Sequence, residues 1–325
     1  MRWFIAALLL GVCAPACPAA PASRGPGHAL IHGVEYLSLN DWAARRHYAL
    51  RWTNGGKDLE LTREKSRLRF ANDSNLSSIN GVNVLLSWPM FARGGVAYLA
   101  TLDLDKVLDP ILFPAPPQPP KITTICLDPG HGGKDPGTID GSNQEKKMTL
   151  LLAREVARQL KDLGYKTILT RTRDTFVDRP SRPAAANQAH ADLFLSFHYN
   201  FSDDRSVNGL ETYCVTPLGA NSTNARGDAP TTFAVQGNNQ DARNILLAHQ
   251  IQKALVRELG VEDRGVHRAR FEVLRGISMP GVLIEGGFLS NQAETGRILD
   301  AKARSKMARA IVDGIEAYRR LAARP

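Results

Sequence analysis

Cysteine is scarce in this chain: four in 325 residues, two of them, Cys13 and Cys17, inside the first seventeen positions. Cys126 and Cys214 are left further on, each within a strand-like run. One disulfide in an oxidising compartment fits them. So do two small buried apolar residues, the preferred reading, because spacing alone cannot bring two cysteines within bonding distance. There is no lysine- or arginine-rich run with interleaved aromatics, which argues against nucleic acid as a partner. The apolar run from Trp3 to Val12 is too short to cross a bilayer, so no stable membrane span is expected.

What is present is ordinary for a folded protein. Hydrophobic residues make up 43% and charged residues 22%, which excludes bulk disorder. The formal net charge of +9 points to an anionic partner such as a cell-wall polymer or a membrane surface.

The N-terminus reads as an export signal. Arg2 supplies a positive charge, Trp3 to Val12 the apolar stretch, and Ala20-Pro21-Ala22 before Ser23 a small-x-small cleavage site. Residues 1–22 are therefore expected to direct the protein to the periplasm or cell envelope. Lipoprotein anchoring at Cys13 or Cys17 is the alternative, although Val12 is a poor residue before a lipidated cysteine.

Residues 114–120, Pro-Ala-Pro-Pro-Gln-Pro-Pro, favour extended polyproline conformation and divide the mature chain. The part at 23–113 has short apolar runs between turns such as Asn54-Gly55-Gly56 and Asn80-Gly81, which predicts a small β-rich domain. Its Ile79-Asn80-Gly81-Val82 turn and its rhythm resemble the small N-terminal domain of copper amine oxidases. The part at 121–325 alternates strands and helices, the pattern of an α/β layer fold. Strands are expected at Ile122–Leu127, Thr167–Thr170, Asp192–Phe197, Val273–Leu274 and Val282–Ile284. Met148, Leu152, Val156, Leu160 and Leu163 mark a helix stopped by Gly164. Met307, Ile311, Ile315 and Tyr318 mark a last helix, and Asn291 is placed to cap the helix after it.

Candidate ligands sit where these strands end. His131 follows the first strand in Pro129-Gly130-His131-Gly132-Gly133, His198 ends a later one, and Glu285 ends the last. In open α/β sheets, sites form at the carboxyl ends of strands. Glu145 lies 145 − 131 = 14 positions after His131, just before the long helix. Two histidines and a carboxylate are a familiar catalytic zinc set with a position open for water. A further carboxylate, Glu285, is what such a site needs to move protons. Each residue also has a plainer reading: a turn histidine, a charge favoured at a helix N-terminus, a half-buried histidine. Glu285 resists one, since a carboxylate after Val282-Leu283-Ile284 is costly unless paired or bound to a cation.

Taken in order, the fragments Asp128-Pro-Gly-His131-Gly-Gly, Glu145-Lys146, Thr170-Arg171, Ser196-Phe-His198-Tyr-Asn200, Gly209-Leu-Glu211 and Glu285-Gly-Gly-Phe-Leu-Ser-Asn291 resemble the zinc-dependent N-acetylmuramoyl-L-alanine amidases of bacterial cell walls. The resemblance covers about residues 122–322. It implies a mostly parallel mixed sheet flanked by helices, with zinc held by His131, Glu145 and His198 and with Glu285 as the catalytic carboxylate. It also implies peptidoglycan as substrate, cut at the amide between muramic acid and L-alanine, in wall remodelling or daughter-cell separation. Asn200 and Arg171 are candidates for substrate or supporting contacts, and Arg268 and Arg270 for facing an anionic substrate or water. Pro217 to Asp241 lacks an apolar helical stripe and leaves the need for an activator protein open. The rival readings are a zinc peptidase or deacetylase on the same polymer, and an inactive wall-binding module.

Overall fold

Alternating apolar residues and tight turns build the first part of the chain in the computed structural model, which describes residues 27–114, 122–224 and 230–322. The export signal and residues 115–120 of the proline-rich segment lie outside the described residues. In order come β1 (His28–Ile31), β2 (Val34–Ser38), α1 (Leu39–Arg45), β3 (Ala49–Thr53), β4 (Asp58–Arg63) and β5 (Ser66–Ala71). Then follow β6 (Leu76–Ile79), β7 (Val82–Leu85), β8 (Phe91–Arg93), β9 (Val96–Ala100), α2 (Thr101–Asp103) and α3 (Asp109–Leu112). Asn80 and Gly81 both have positive φ, 53° and 81°, which a two-residue hairpin requires. β5 alternates buried Leu68 and Phe70 with exposed Arg67 and Arg69, the mark of a strand with one wet face.

The second part starts with β10 (Thr124–Pro129), the small ribbon β11 (Ile139–Asp140) and β12 (Asn143–Gln144), α4 (Glu145–Asp162), β13 (Lys166–Leu169), α5 (Ser181–Gln188) and β14 (Leu193–Asn200). It continues with β15 (Leu210–Val215), α6 (Asp241–Leu259), β16 (Asp263–Ala269), α7 (Glu272–Arg275), β17 (Gly281–Phe288), α8 (Gln292–Leu299) and α9 (Ala301–Ala322). As expected, α4 buries Met148, Leu152, Val156 and Leu160, and the Asn291 side chain caps α8 by accepting from Glu294 N at 3.1 Å. Val273–Leu274 is not a strand. The pair lies in the short helix α7, and two apolar residues are too few to establish a period. No helix among the described residues is long and apolar enough to cross a membrane, and none lies between Val215 and Gln236.

Eleven strands form one sheet in the order β13-β10-β14-β17-β15-β16-β7-β6-β5-β4-β3. β13, β10, β14 and β17 are parallel; β15 runs antiparallel to β17 and parallel to β16. One face packs α4, α6 and α9; the other carries a smaller cluster with Ala186 of α5 and Leu274 of α7. This is the mixed, helix-flanked α/β sheet that the sequence suggested. Cys126 and Cys214 are both free, and they belong to these two different clusters.

The first part continues that sheet. β7 pairs in parallel with β16 at Val84 and Val266, and Leu61, Ile79, Leu247 and Val266 share one core. Asn83 donates twice to Asp263, from its backbone to Oδ2 and from Nδ2 to the carbonyl, both at 2.8 Å. Arg268 belongs to this junction and does not face a substrate, contrary to the expectation from sequence. It is 1% exposed, and it donates to Ser87 Oγ at 3.0 Å, to Asp103 Oδ1 at 3.4 Å and to the Lys106 carbonyl at 2.9 Å. A buried guanidinium needs such partners, and they come from more than 160 positions upstream.

His249 of α6 reaches across the same junction, with Nε2 3.0 Å from the Ile79 carbonyl. Its burial lowers its pKa to about 4. An unfolded chain takes up this proton near pH 6.5, so between the two values the unfolded state binds more protons. The stability is complete above about pH 6.5 and falls as the pH drops toward 4. His249→Gln keeps a donor and removes the titration. Between pH 7 and pH 4 its unfolding free energy in urea is expected to fall by about 3 kcal/mol less than that of wild type.

Candidate metal centre

β10 delivers its last residues into a turn that only small residues and a strained histidine can make. His131 has φ +61°, a left-handed conformation that costs energy outside glycine. A Cβ on Gly130 would overlap the His198 imidazole, and one on Gly137 would crowd His131 and Glu145. The glycines are therefore required for close approach.

Two buried arginines hold this turn. Arg182 pairs with Asp128 Oδ1 at 2.8 Å and donates to the carbonyls of Pro129 and His131, both at 2.9 Å. Thr170 and Ser196 complete the Asp128 carboxylate at 2.6 and 2.7 Å. Arg171 donates to the carbonyls of Pro129 (3.0 Å), Gly130 (2.8 Å) and Lys146 (2.8 Å). Burial, then the neighbouring Arg182 charge, lowers its guanidinium to about 10. Arg171 is thus a clamp on the His131 turn and the start of α4.

Glu145, the first residue of α4, puts its buried carboxylate between the two imidazoles. Oε2 lies 3.1 Å from His131 Nε2 and Oε1 lies 2.9 Å from His198 Nδ1. The backbone N–H groups of Thr138 and Tyr199 donate to the same carboxylate at 2.8 and 3.1 Å. Burial alone would raise the Glu145 pKa, but the histidine contacts hold it well below the ordinary carboxylate range. Burial likewise opposes a charged His131, yet Glu145 and Asp135 hold its pKa above the ordinary value.

One ligand atom from each of His131, Glu145 and His198 lies within 4.8 Å of the others. Zinc bonds of about 2.1 Å place tetrahedral ligands roughly 3.4 Å apart, so a small contraction around an ion suffices. Asp135 Oδ2 lies 2.8 Å from His131 Nδ1. Such a carboxylate fixes the tautomer and leaves the other nitrogen's lone pair for a metal. Asp135 was missed in the sequence, although a carboxylate four residues after a candidate ligand was a usable signal.

Glu285 pairs in register with His198 on one side and with Glu211 on the other. Its Oε2 is enclosed without a hydrogen-bond partner. Burial first, then the charges of Glu145 and Glu211, raises its pKa well above the ordinary value. Glu211 is satisfied: Arg264 Nε donates to it at 2.6 Å, Tyr213 OH at 2.7 Å and Asn200 Nδ2 at 3.0 Å. Asn200 therefore supports the carboxylate beside Glu285. His131, His198 and Glu285 line an open cleft of about 1080 Å³. The arrangement offers a candidate cation site, a carboxylate with one oxygen left without a partner and room for a substrate.

Residues 125–317 match a family model described as N-acetylmuramoyl-L-alanine amidase. The chain is 38% identical over 197 residues to the N-acetylmuramoyl-L-alanine amidase LytC of Bacillus subtilis, covering 61% of this chain and 36% of that protein. It is 34% identical over 216 residues to the N-acetylmuramoyl-L-alanine amidase AmiC of Neisseria meningitidis, covering 60% and 52%. The chain thus spans between a third and about half of the length of these two relatives. In fold it is similar to an N-acetylmuramoyl-L-alanine amidase of Clostridium difficile 630, with a TM-score of 0.51 at 32% identity, over 60% of this chain and 96% of that one. The catalytic domain of CwlV from Bacillus (Paenibacillus) polymyxa also gives 0.51, at 31% identity, over 60% and 97%.

The clamp on the His131 turn can be tested by stability. Arg182→Met strands the fully buried Asp128 carboxylate, and breaking such a pair costs about 3–5 kcal/mol. A loss of that size in urea unfolding is the expected outcome.

Proposed function

The chain belongs to the N-acetylmuramoyl-L-alanine amidase family, and from that premise we propose that it hydrolyses the amide joining the muramic acid lactyl group of peptidoglycan to the L-alanine of the stem peptide. We propose His131, Glu145 and His198 as ligands of a zinc ion and Glu285 as the catalytic carboxylate. The observation that carries this reading is the convergence of the three ligand atoms within 4.8 Å beside a carboxylate oxygen left without a partner. Zinc bound there supplies a Lewis acid that polarises the scissile carbonyl and acidifies water.

The side chains do the rest. Asp135 orients His131 through Nδ1. The cleft admits the amide beside Glu285. Glu285 takes a proton from the attacking water as oxygen bonds to the carbonyl carbon. When the carbon–nitrogen bond breaks, the same carboxyl returns the proton to the leaving L-alanine nitrogen. Glu211, fixed by Arg264, Tyr213 and Asn200, stands in register beside that carboxyl on the neighbouring strand.

The relatives' names and the overall charge of +9 support action at the cell wall. The positive, apolar and small-residue segments at 1–22 support export to the periplasm or envelope. A role in wall remodelling or daughter-cell separation belongs to the same reading.

Digestion of purified peptidoglycan, with products read by mass spectrometry, tests the bond assignment. Stem peptides beginning at L-alanine are expected, with activity lost on chelation and reduced at least 100-fold in Glu285→Gln. Cuts inside the peptide or release of acetate would sink the proposal. Asp135→Asn is expected to weaken zinc binding by about 10–100-fold in competition with a chelator.

A further inference from the structure

Beyond His131, His198 and Glu285 the cleft is lined by one wall at residues 176–182 and another at 270–275, and these two walls form an arm of it. Its cations differ in how they are used. Arg182 is committed to Asp128, and Arg270 donates to Thr231 Oγ1 at 2.8 Å and to the Ala220 carbonyl. Arg179 and Arg275 stand exposed, one on each wall, and neither makes an ion pair with a carboxylate among the described residues. The Arg275 guanidinium only faces the Phe233 ring, at 5.9 Å.

A guanidinium offers five donors in a planar fork that matches a carboxylate. The two halves of the proposed substrate differ in this respect. Around the scissile amide the glycan is neutral, because the lactyl carboxyl is consumed in the bond. The stem peptide continues past L-alanine into a glutamate joined through its side chain, which leaves its α-carboxylate free, and then into further residues with carboxylates. A cleft of about 1080 Å³ in all accepts several peptide residues. Asp178 and Glu272, exposed acids of the same walls, suit a peptide that also carries the ammonium group of a diamino acid.

Resting on the amidase reading, we propose that this arm holds the stem peptide and that Arg179 and Arg275 are specificity-determining residues that bind its carboxylates.

Calorimetric titration of the mature protein with the tripeptide L-Ala-γ-D-Glu-diaminopimelate, and with the same peptide amidated at its carboxylates, tests this without turnover. Wild type is expected to prefer the free acid by at least about tenfold. Arg179→Ala and Arg275→Ala should each weaken that binding by about tenfold, and the double variant should bind the two peptides equally. Both side chains are exposed, so the variants should keep wild-type circular dichroism. Unchanged affinity in both single variants, equal binding of the two peptides to wild type, or no binding at all would overturn the assignment. Turnover of an intact muropeptide separates the two readings. The variants should raise KM about tenfold with kcat within about twofold. Cleavage at the muramoyl–alanine bond that both variants leave unaltered refutes the arm and keeps the amidase. A wild type that cuts no muropeptide refutes the amidase, and the titration still decides what the arm binds.

Discussion

A buried carboxylate must be met by donors or by a cation, and Glu145 is the point where that requirement organises the molecule. Two backbone N–H groups and two imidazoles converge on it. Meeting them brings the end of β10, the first residue of α4 and the end of β14 to one place. The strand order makes this possible, because β10, β14 and β17 are neighbours, with partners about 4.8 Å apart. The same order puts Glu285 beside His198. Gly130 and Gly137 are small for the same reason, since any side chain there would push a ligand away.

Around this point the charges are arranged unequally. Glu211 and Glu285 face each other across two antiparallel strands, yet one is satisfied by three donors and the other keeps an oxygen without a partner. In the proposed reaction the satisfied one is fixed in place, and the unsatisfied one is left to accept and return the proton.

Among the described residues the first part of the chain contributes no candidate ligand to this centre, but it is built into the same sheet. β7 covers what would otherwise be the open edge of β16, and exposed edges invite pairing with other chains. The junction is buried and polar as well as apolar, through Arg268 with Asp103 and Ser87, and Asn83 with Asp263. Motion of the first part relative to the second would strand these groups.

The candidate ligand set was legible because its residues carry local signals: glycines around His131, a carboxylate opening an amphipathic helix, and polar residues ending apolar strands. The α4 stripe and the Asn80-Gly81 hairpin were legible for the same reason, as periodicity and turn chemistry are properties of adjacent residues. The orientation of Arg268 was not, because it depends on Asp103, 165 positions earlier, and on which face of β16 is covered. A supporting role was among the readings of Asn200 and Arg171, but their partners and the whole role of Arg182 were hidden, since a side chain's partner is set by what the fold brings against it. By itself the sequence determined which residues could bind a cation and which strongly periodic segments would be strands or helices, though not the two-residue run Val273–Leu274. Only the tertiary structure decided which polar groups face the cleft and which hold the sheet together, because burial and pairing are relations between distant parts of the chain.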